Sequence, residues 1–179
     1  MVVSQADREY VLTPSTVARV YEPMQYLADT EPVFGTAGVR VDTVVHMESH
    51  WRGDEAAGRV ESPGGRSAVE ETRYVTTLPF GSDSLPQLGA VVAHADPRVE
   101  RFGELLDQHA DLTDRLRGIR WITTRHPDPK IRNGADADGI LSSPTFVKGF
   151  SEVADRRLVF DAFVYSHQLY DVVTLAREY

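Results

Sequence analysis

The stretch VDTVVHMESHW, Val41–Trp51, decides the fold, because it has the pattern of a β-strand that ends in polar residues. Alternate positions place valine, threonine and methionine on one face and put His46, Glu48 and His50 on the other. This predicts a strand with an apolar face against helices and a polar inner face that opens into a site at its carboxyl end. A half-buried strand with a solvated face and incidental histidines has the same pattern, so spacing alone leaves both interpretations open.

The composition narrows the classes of partner. The chain has 179 residues, of which 41% are hydrophobic and 26% charged, as in one ordinary globular domain. Its net charge of −8 argues against a nucleic-acid or anionic-membrane partner, since both attract basic surfaces. The absence of cysteine excludes disulfides, thiolate metal sites and a cysteine nucleophile. No signal-peptide pattern or run of about 18 apolar residues occurs, so we expect a soluble, cytoplasmic protein.

Helix-like and strand-like segments alternate along the chain. Residues 1–20 are polar and weakly patterned, and we expect an N-terminal arm or peripheral helix there, followed by one domain over residues 21–179. Three further strands are predicted, and each ends in polar residues: LGAVVAHAD (88–96), LRGIRWIT (116–123) and LVFDAFVYSHQL (158–169). Such alternation predicts a parallel α/β sheet with helices outside, because parallel neighbours need crossover connections.

The connecting helices carry specific expectations. A helix over Val69–Leu78 should expose Glu71 among its polar residues. The helix PRVERFGELLDQHADL should begin at Pro97 with Asp96 as its N-cap. Polar loops follow the strands at their carboxyl ends, where α/β sheets and barrels place their sites. No glycine-rich phosphate motif follows any strand, which argues against a flavodoxin-like or dinucleotide-binding domain.

Four stretches together resemble a known family: VDTVVHMESHW with VEETRYV, then LGAVVAHADP, LRGIRWI and LVFDAFVYSHQLYDVVTLA. In this order and spacing they resemble strands two to five of the amidohydrolase-2 family, the (β/α)₈-barrel hydrolases of the amidohydrolase superfamily that include lactonases and related decarboxylases. The resemblance covers residues 21–179. It implies an α/β fold of parallel βα units that form a partial (β/α)₈ TIM barrel, about half of a barrel.

The chain also departs from that family. Its members carry a His-x-His pair on the first strand, and later strands add a further histidine and an aspartate. This sequence contains no His-x-His, and no histidine precedes Tyr21. A complete barrel takes about 250 residues. We therefore expect the middle of a barrel, without the strand that carries the metal-binding pair.

The resemblance implies roles for two strand-end residues. His167, in the segment SHQL, is the candidate catalytic histidine and the candidate metal ligand, since a neutral imidazole binds divalent metals or moves a proton. Glu48 is the candidate proton-transfer carboxylate. A salt-bridged carboxylate at the strand end would explain Glu48 equally well. We expect His46, deeper on the same face, to be a hydrogen-bonded residue of the barrel interior.

Substrate contacts are assigned to Arg120, His94 and His50. A guanidinium aimed into a barrel mouth can hold a substrate carboxylate through two hydrogen bonds, so Arg120 is the principal binding candidate. An ion pair of Arg120 with Glu48 or Asp161 is the structural alternative, and it remains open.

Two functions of different classes follow from these observations. The first is an amidohydrolase-type hydrolase of a small carboxylated or lactone or cyclic-amide-like substrate, inactive as this chain alone. A divalent metal such as zinc can belong to the complete enzyme, but catalytic zinc takes three protein ligands, and the family's other ligands are missing here. The second is a non-catalytic barrel remnant or subunit that associates through open sheet edges with another copy or with the missing barrel half.

Overall fold

The computed structural model describes residues 21–49 and 66–179, so the predicted arm over residues 1–20, His50 and most of the following polar loop lie outside them. The described residues form four strands and five α-helices in strict alternation. The strands are β1 (Thr43–Met47), β2 (Gln87–His94), β3 (Leu116–Ile122) and β4 (Val159–Phe163). The helices are α1 (Pro23–Phe34), α2 (Arg66–Thr77), α3 (Phe102–Leu112), α4 (Pro144–Asp155) and α5 (Leu169–Glu178), with 3₁₀ turns at Ile140–Ser142 and Ser166–Gln168.

The four strands form one parallel sheet in the order β1-β2-β3-β4. Each strand therefore pairs with the next one in the chain, and the intervening helix provides the crossover. This is the arrangement of consecutive βα units in a (β/α)₈ barrel. The predicted fold class, a partial TIM barrel of parallel βα units, is confirmed.

The register shows which face of β1 is covered by helices. His46 pairs with Val91 of β2, and paired residues of parallel strands point to the same face. Val91 is fully buried with Val75 of α2, so His46 also faces the helices. Val45 lies on the opposite face and is 53% exposed. The expectation that His46 lies in the barrel interior is wrong, because α2 supplies a polar partner that allows the imidazole to pack on the helix side.

Apolar side chains fill the space between the sheet and the helices. Phe146, Leu106 and Ile119 are fully buried, and each such side chain stabilises the fold by roughly 1.5–3 kcal/mol. Phe146, Phe150 and Phe160 pack their rings against one another beneath β3 and β4, with centroids 5.4–5.9 Å apart. The core thus places both β3 and β4 firmly against α4.

Helix α3 begins five residues later than predicted. The Asp96 carboxylate does not cap it, since Asp96 Oδ1 accepts a hydrogen bond from Arg98 N at 2.9 Å and forms a local turn. Arg101 then takes a left-handed conformation, with φ of 60°, immediately before Phe102. Gly149 of α4 packs directly on this turn, and a Cβ there would lie 1.8 Å from Pro97 O.

The last predicted strand is also shorter in the structure. β4 ends at Phe163, and SHQL forms a 3₁₀ turn before α5. The turn forms because the Gln168 amide oxygen accepts a hydrogen bond from Tyr165 N at 3.1 Å, which bends the chain out of the sheet. His167 therefore lies on a turn after the strand.

The outer strands of this sheet carry apolar residues at the surface. Val45 of β1 and Val159 and Phe163 of β4 are more than half exposed, and Leu169 and Tyr170 of the adjoining α5 are exposed as well. Across residues 21–49 and 66–179, no helix has the length and hydrophobicity needed to cross a membrane.

Candidate functional site

Glu48 and His94 meet at the carboxyl ends of β1 and β2. Glu48 N donates a hydrogen bond to Val92 O at 2.9 Å, which continues the ladder one residue past β1. The Glu48 carboxylate is buried, with the residue only 4% exposed, and its Oε2 lies 3.5 Å from His94 Nδ1. The structure therefore brings together two residues that the sequence placed on separate strands and to which it gave different roles.

A second carboxylate, that of Glu71 on α2, lies beside this pair. Glu71 Oε1 is 3.1 Å from His46 Nε2, and it accepts hydrogen bonds from Ser49 N at 2.8 Å and from Ser49 Oγ at 3.1 Å. Burial by itself raises the pKa of Glu71, but the hydrogen bonds from His46 and Ser49 outweigh it, so the net pKa is below the ordinary 4.5. Glu71 is therefore an ionised carboxylate in a buried place.

The expectation that Glu71 is exposed is wrong, because this residue is only 4% exposed. The sequence does contain the signal that identifies it. Glu71 precedes the buried Val75 by four residues, so the two lie on one face of the helix. The buried residues of α2 share this face: Ala68, Val69, Glu71, Thr72 and Val75.

A buried histidine continues this polar layer between α2 and α3. His109 of α3 is fully buried, and its Nδ1 lies 2.8 Å from Thr72 Oγ1. Burial lowers the pKa of His109 to about 4, so its imidazole is neutral at pH 7. His109 thus serves as an uncharged hydrogen-bonding partner in the interior.

Arg120 of β3 forms an ion pair with Asp161 of the neighbouring strand β4. Its Nη2 lies 2.8 Å from Asp161 Oδ2 of β4, which is one of the alternatives the sequence left open. The guanidinium carbon lies 6.0 Å from the centre of the Phe163 ring, at the distance of a cation–π contact. Arg120 Nε is buried and has no hydrogen-bond partner within the part of the chain that the structure describes. The predicted binding role of Arg120 remains a prediction.

The turn after β2 is occupied by another ion pair. Asp96 is almost fully buried, and its carboxylate accepts hydrogen bonds from Arg98 Nε at 3.0 Å and Nη2 at 2.7 Å. Arg98 Nη1 also donates to Asp136 Oδ1 at 2.8 Å. The hydrogen bonds that Arg98 donates to Asp96 raise the pKa of Arg98, and Arg98 in turn lowers the pKa of Asp136. This group holds the loop after β3 against the turn after β2.

The aromatic ring of Trp121 connects these groups. The His94 ring lies 5.1 Å from the Trp121 ring, centre to centre, at an interplanar angle of 53°. The Arg98 guanidinium carbon lies 5.7 Å from the same ring. Trp121 therefore forms an apolar wall on one side of the imidazole of His94.

His167 lies at the ends of β3 and β4. Its Nε2 donates a hydrogen bond to Arg125 O at 2.9 Å, and its ring packs 5.3 Å from that of His126. His126 Nδ1 in turn accepts a hydrogen bond from Asp128 N at 3.0 Å. A neutral imidazole that donates from Nε2 carries its lone pair on Nδ1. The predicted catalytic and metal-ligand roles of His167 are thus compatible with its hydrogen bonding, and they remain predictions.

Gln168 is a residue that sequence reasoning missed. Its Nε2 donates to Thr123 O at 2.8 Å, and its Oε1 accepts from Arg125 N at 3.0 Å and from Tyr165 N at 3.1 Å. One buried amide thereby ties the end of β3 to the end of β4. A glutamine between a histidine and a helix gives no distinctive pattern in a sequence, so only the structure identifies it.

No group of three or more histidine, aspartate or glutamate side chains is arranged to hold a metal ion in residues 21–49 and 66–179. A cleft of about 460 Å³ lies at the opposite end of the sheet, lined by residues such as Leu78, Gln87 and Arg115. In barrel enzymes that amino-terminal face concerns stability, whereas chemistry takes place at the carboxyl ends of the strands. We therefore regard the group around Glu48 and His94 as the candidate site.

Comparison with known proteins shows a solved structure of similar fold. No family model matches the chain. Over 89 residues it is 32% identical to the uncharacterized protein y4mH of Sinorhizobium fredii (strain NBRC 101917 / NGR234), and the matched segment is 50% of this chain but 29% of that protein. The structure is similar to the crystal structure of an amidohydrolase from Burkholderia multivorans with bound HEPES, with a TM-score of 0.55 and 18% identity. That match covers 92% of this chain and 45% of the other, so this chain spans a little less than half the length of that protein.

Proposed function

We propose that this chain provides part of the active site of an amidohydrolase-type hydrolase, which acts on a small carboxylated lactone or cyclic amide. The similarity of its fold to an amidohydrolase supports the class of enzyme. The single observation that carries the proposal is the buried Glu48 carboxylate, 3.5 Å from His94 Nδ1 at the carboxyl ends of neighbouring barrel strands.

In the proposed reaction, the Glu48 carboxylate removes a proton from water, and the resulting hydroxide attacks the substrate carbonyl carbon. The new C–O bond forms, and the ring C–O or C–N bond then breaks. The proton taken by Glu48 is passed to the leaving oxygen or nitrogen, so no other reactant is needed. His94 stabilises the ionised Glu48 when its imidazole donates from Nδ1.

Arg120 would hold the acidic group of the substrate. The ion pair with Asp161 uses the donor at Nη2, and the Arg120 side chain as a whole is partly exposed. Because a guanidinium has five N–H donors, Arg120 can keep Asp161 and still bind a carboxylate. Asp161 would then fix the orientation of the guanidinium.

A divalent metal, as implied by the resemblance, does not fit the described residues. Catalytic zinc takes three protein ligands, and the described segments bring no such group together. We therefore assign no step to a metal. If the complete enzyme uses zinc, ligands other than these must take part, with His167 as the candidate among the described residues.

The proposal is tested first by binding, because the chain alone is expected to be inactive. Calorimetric titration with carboxylated lactones and with their uncharged methyl esters should show binding of the acids only. Arg120→Met should weaken that binding about tenfold or more, whereas Arg117→Met, which changes an exposed arginine of the same strand, should not. Equal affinity for acids and esters would contradict the proposal.

Hydrolysis is then measured on the protein at its natural length. Glu48→Gln should lower kcat about 100-fold, since removal of a general base typically costs a factor of this order. Glu70→Gln, which changes the partly exposed carboxylate next to Glu71 on α2, should leave kcat unchanged. An undiminished rate in Glu48→Gln would rule out Glu48 as the base.

A second candidate function is that of a non-catalytic subunit that associates through the open edges of its sheet. It is favoured by the exposed apolar residues of the outer strands and of α5, above all Tyr170, which is 83% exposed. Sedimentation of the purified chain would then show a dimer, and Tyr170→Asp together with Val159→Lys would give a monomer. A wild-type chain that sediments as a monomer would contradict this function.

A further inference from the structure

We infer that Glu71 is a positioning residue, which fixes the end of β1 so that the Glu48 carboxylate faces His94. The inference rests on the proposed function only in taking Glu48 as the base. Glu71 would not touch the substrate. It acts on the chain on both sides of Glu48.

The hydrogen bonds of Glu71 flank Glu48 in the sequence. His46 lies two residues before Glu48 and Ser49 one residue after it, and both reach Glu71 Oε1. The regular strand ends at Met47, so Glu48 and Ser49 lie beyond it. A segment at this position needs other hydrogen bonds to keep one conformation.

The peptide groups on both sides of the Glu48 Cα are held by hydrogen bonds, and Glu71 provides one of them. Its own N–H donates to Val92 O at 2.9 Å, and the next N–H, that of Ser49, donates to Glu71 at 2.8 Å. Fixing the two peptide planes fixes the backbone dihedrals of Glu48, which in turn limit the directions its side chain can take. The bond from Ser49 is charge-assisted, so it is stronger than a neutral one.

The charge of Glu71 also lies near the candidate base and is stabilised by hydrogen bonds. The two carboxylates are close enough for their charges to interact. His46 donates a hydrogen bond to Glu71. Two buried carboxylates can therefore lie side by side, with Glu71 bound by His46 and Ser49 while Glu48 faces His94.

The test separates the hydrogen bonds of Glu71 from its charge. Glu71→Ala removes both, Glu71→Gln keeps an acceptor oxygen without the charge, and Glu70→Ala is the matched control on the exposed side of the same helix. Nuclear magnetic resonance of the full chain reports on the Ser49 amide and on the ring of His94. Glu48→Ala gives the ring signals of His94 when its carboxylate partner is absent.

We expect Glu71→Ala to move the His94 ring signals toward those of Glu48→Ala, and Glu70→Ala to leave them at the wild-type positions. Glu71→Gln should keep them near the wild-type positions but reduce the protection of the Ser49 amide from hydrogen exchange about tenfold. Wild-type His94 signals in a folded Glu71→Ala protein would overturn the inference. If Glu71→Ala does not fold, unchanged Ser49 protection in Glu71→Gln would overturn it instead.

Kinetics adds a readout that a purely structural residue would not give. In the natural-length protein, Glu71→Ala should lower kcat with little change in KM, and Glu71→Gln should recover most of the rate. If no substrate is hydrolysed, the proposed function fails, but the resonance experiment still decides whether Glu71 positions Glu48. The two failures are therefore distinguishable.

Discussion

The end of β1 and the ends of β3 and β4 are fastened in similar ways by different side chains. At β1, the buried Glu71 carboxylate takes three hydrogen bonds, from His46 and from two atoms of Ser49. At β3 and β4, the buried Gln168 amide makes three hydrogen bonds with backbone groups of the two strand ends. In each case one polar side chain provides hydrogen bonds to the chain at the point where the regular strands end. We call each of these two side chains, with its hydrogen bonds, a fastening.

The difference between the two is charge. An ionised carboxylate only accepts hydrogen bonds, so Glu71 collects donors, whereas an amide both donates and accepts and can join a carbonyl to two N–H groups. The charged fastening lies beside Glu48 and His94, while the neutral one supports the exposed His167. Glu71, which holds the segment that carries another carboxylate, can itself be protonated at low pH. Gln168, which only joins the strand ends, does not titrate.

The largest effect is expected from loss of the charged fastening. Glu71→Ala leaves His46 and the Ser49 N–H without their acceptor inside the protein, so it should lower the free energy of unfolding by about 3–4 kcal/mol. Glu70→Ala should change it by less than about 0.5 kcal/mol, because Glu70 is partly exposed and its closest contact with Arg73 is 3.7 Å long. Urea unfolding of both variants measures this. A loss below about 1 kcal/mol would mean that water replaces Glu71 without cost.

The same end of the molecule should carry the pH dependence. His109 has a pKa of about 4 in the folded protein and an ordinary value of 6.5, so the unfolded chain binds more protons between these values. The free energy of unfolding should therefore fall by about 3 kcal/mol as the pH drops from 6.5 to 4. Glu71, whose pKa is lowered, adds a further loss below its ordinary 4.5.

The variant His109→Gln isolates the contribution of this histidine to the pH dependence of stability. It removes the titrating imidazole from the interior, so urea unfolding between pH 7 and pH 4 should show a shallower decline than in the wild-type chain. An identical decline in both proteins would assign the pH dependence to other groups.

The neutral fastening should give a smaller effect that does not depend on pH. Gln168→Ala leaves the Thr123 carbonyl and the N–H groups of Arg125 and Tyr165 without their side-chain partner. We expect a loss of about 2 kcal/mol in the free energy of unfolding, equal at pH 7 and pH 5. Gln168→Glu keeps the acceptor but loses the donor, so its free energy of unfolding should lie between those of the wild-type protein and Gln168→Ala. A loss that grows at low pH in Gln168→Ala would end the distinction between the two fastenings.

The sequence predicted the order of elements and the fold, because alternation of helix and strand depends on short-range periodicity. It could not predict the two fastenings, since both depend on contacts between distant segments. Glu71 reaches a strand end 22 residues away in the chain, and Gln168 reaches residues more than 40 positions away. The face of His46 was misjudged for the same reason, as its partner is on a helix.

The candidate site was predicted in part. Glu48 and His94 were named on separate strands, and parallel register brings them together at one edge, as the rule for strand ends requires. The start of α3 could not be foreseen, because Asp96 had a cap-like position in the sequence but takes Arg98 instead. Local patterns favour a cap, and an arginine two residues away competes for the same carboxylate.

The smallest effect is expected for His167, and it is the most informative about function. His167 is exposed, and the Arg125 carbonyl it binds can accept a hydrogen bond from water instead, so His167→Ala should change the free energy of unfolding by less than about 0.5 kcal/mol. Its predicted role is chemical, and in that case hydrolysis by the natural-length protein should fall while urea unfolding stays unchanged. Glu71→Ala, by contrast, should lower both. If His167→Ala lost about 2 kcal/mol or more, His167 would belong with Gln168 as part of the fastening, and its predicted chemical role would lose its support.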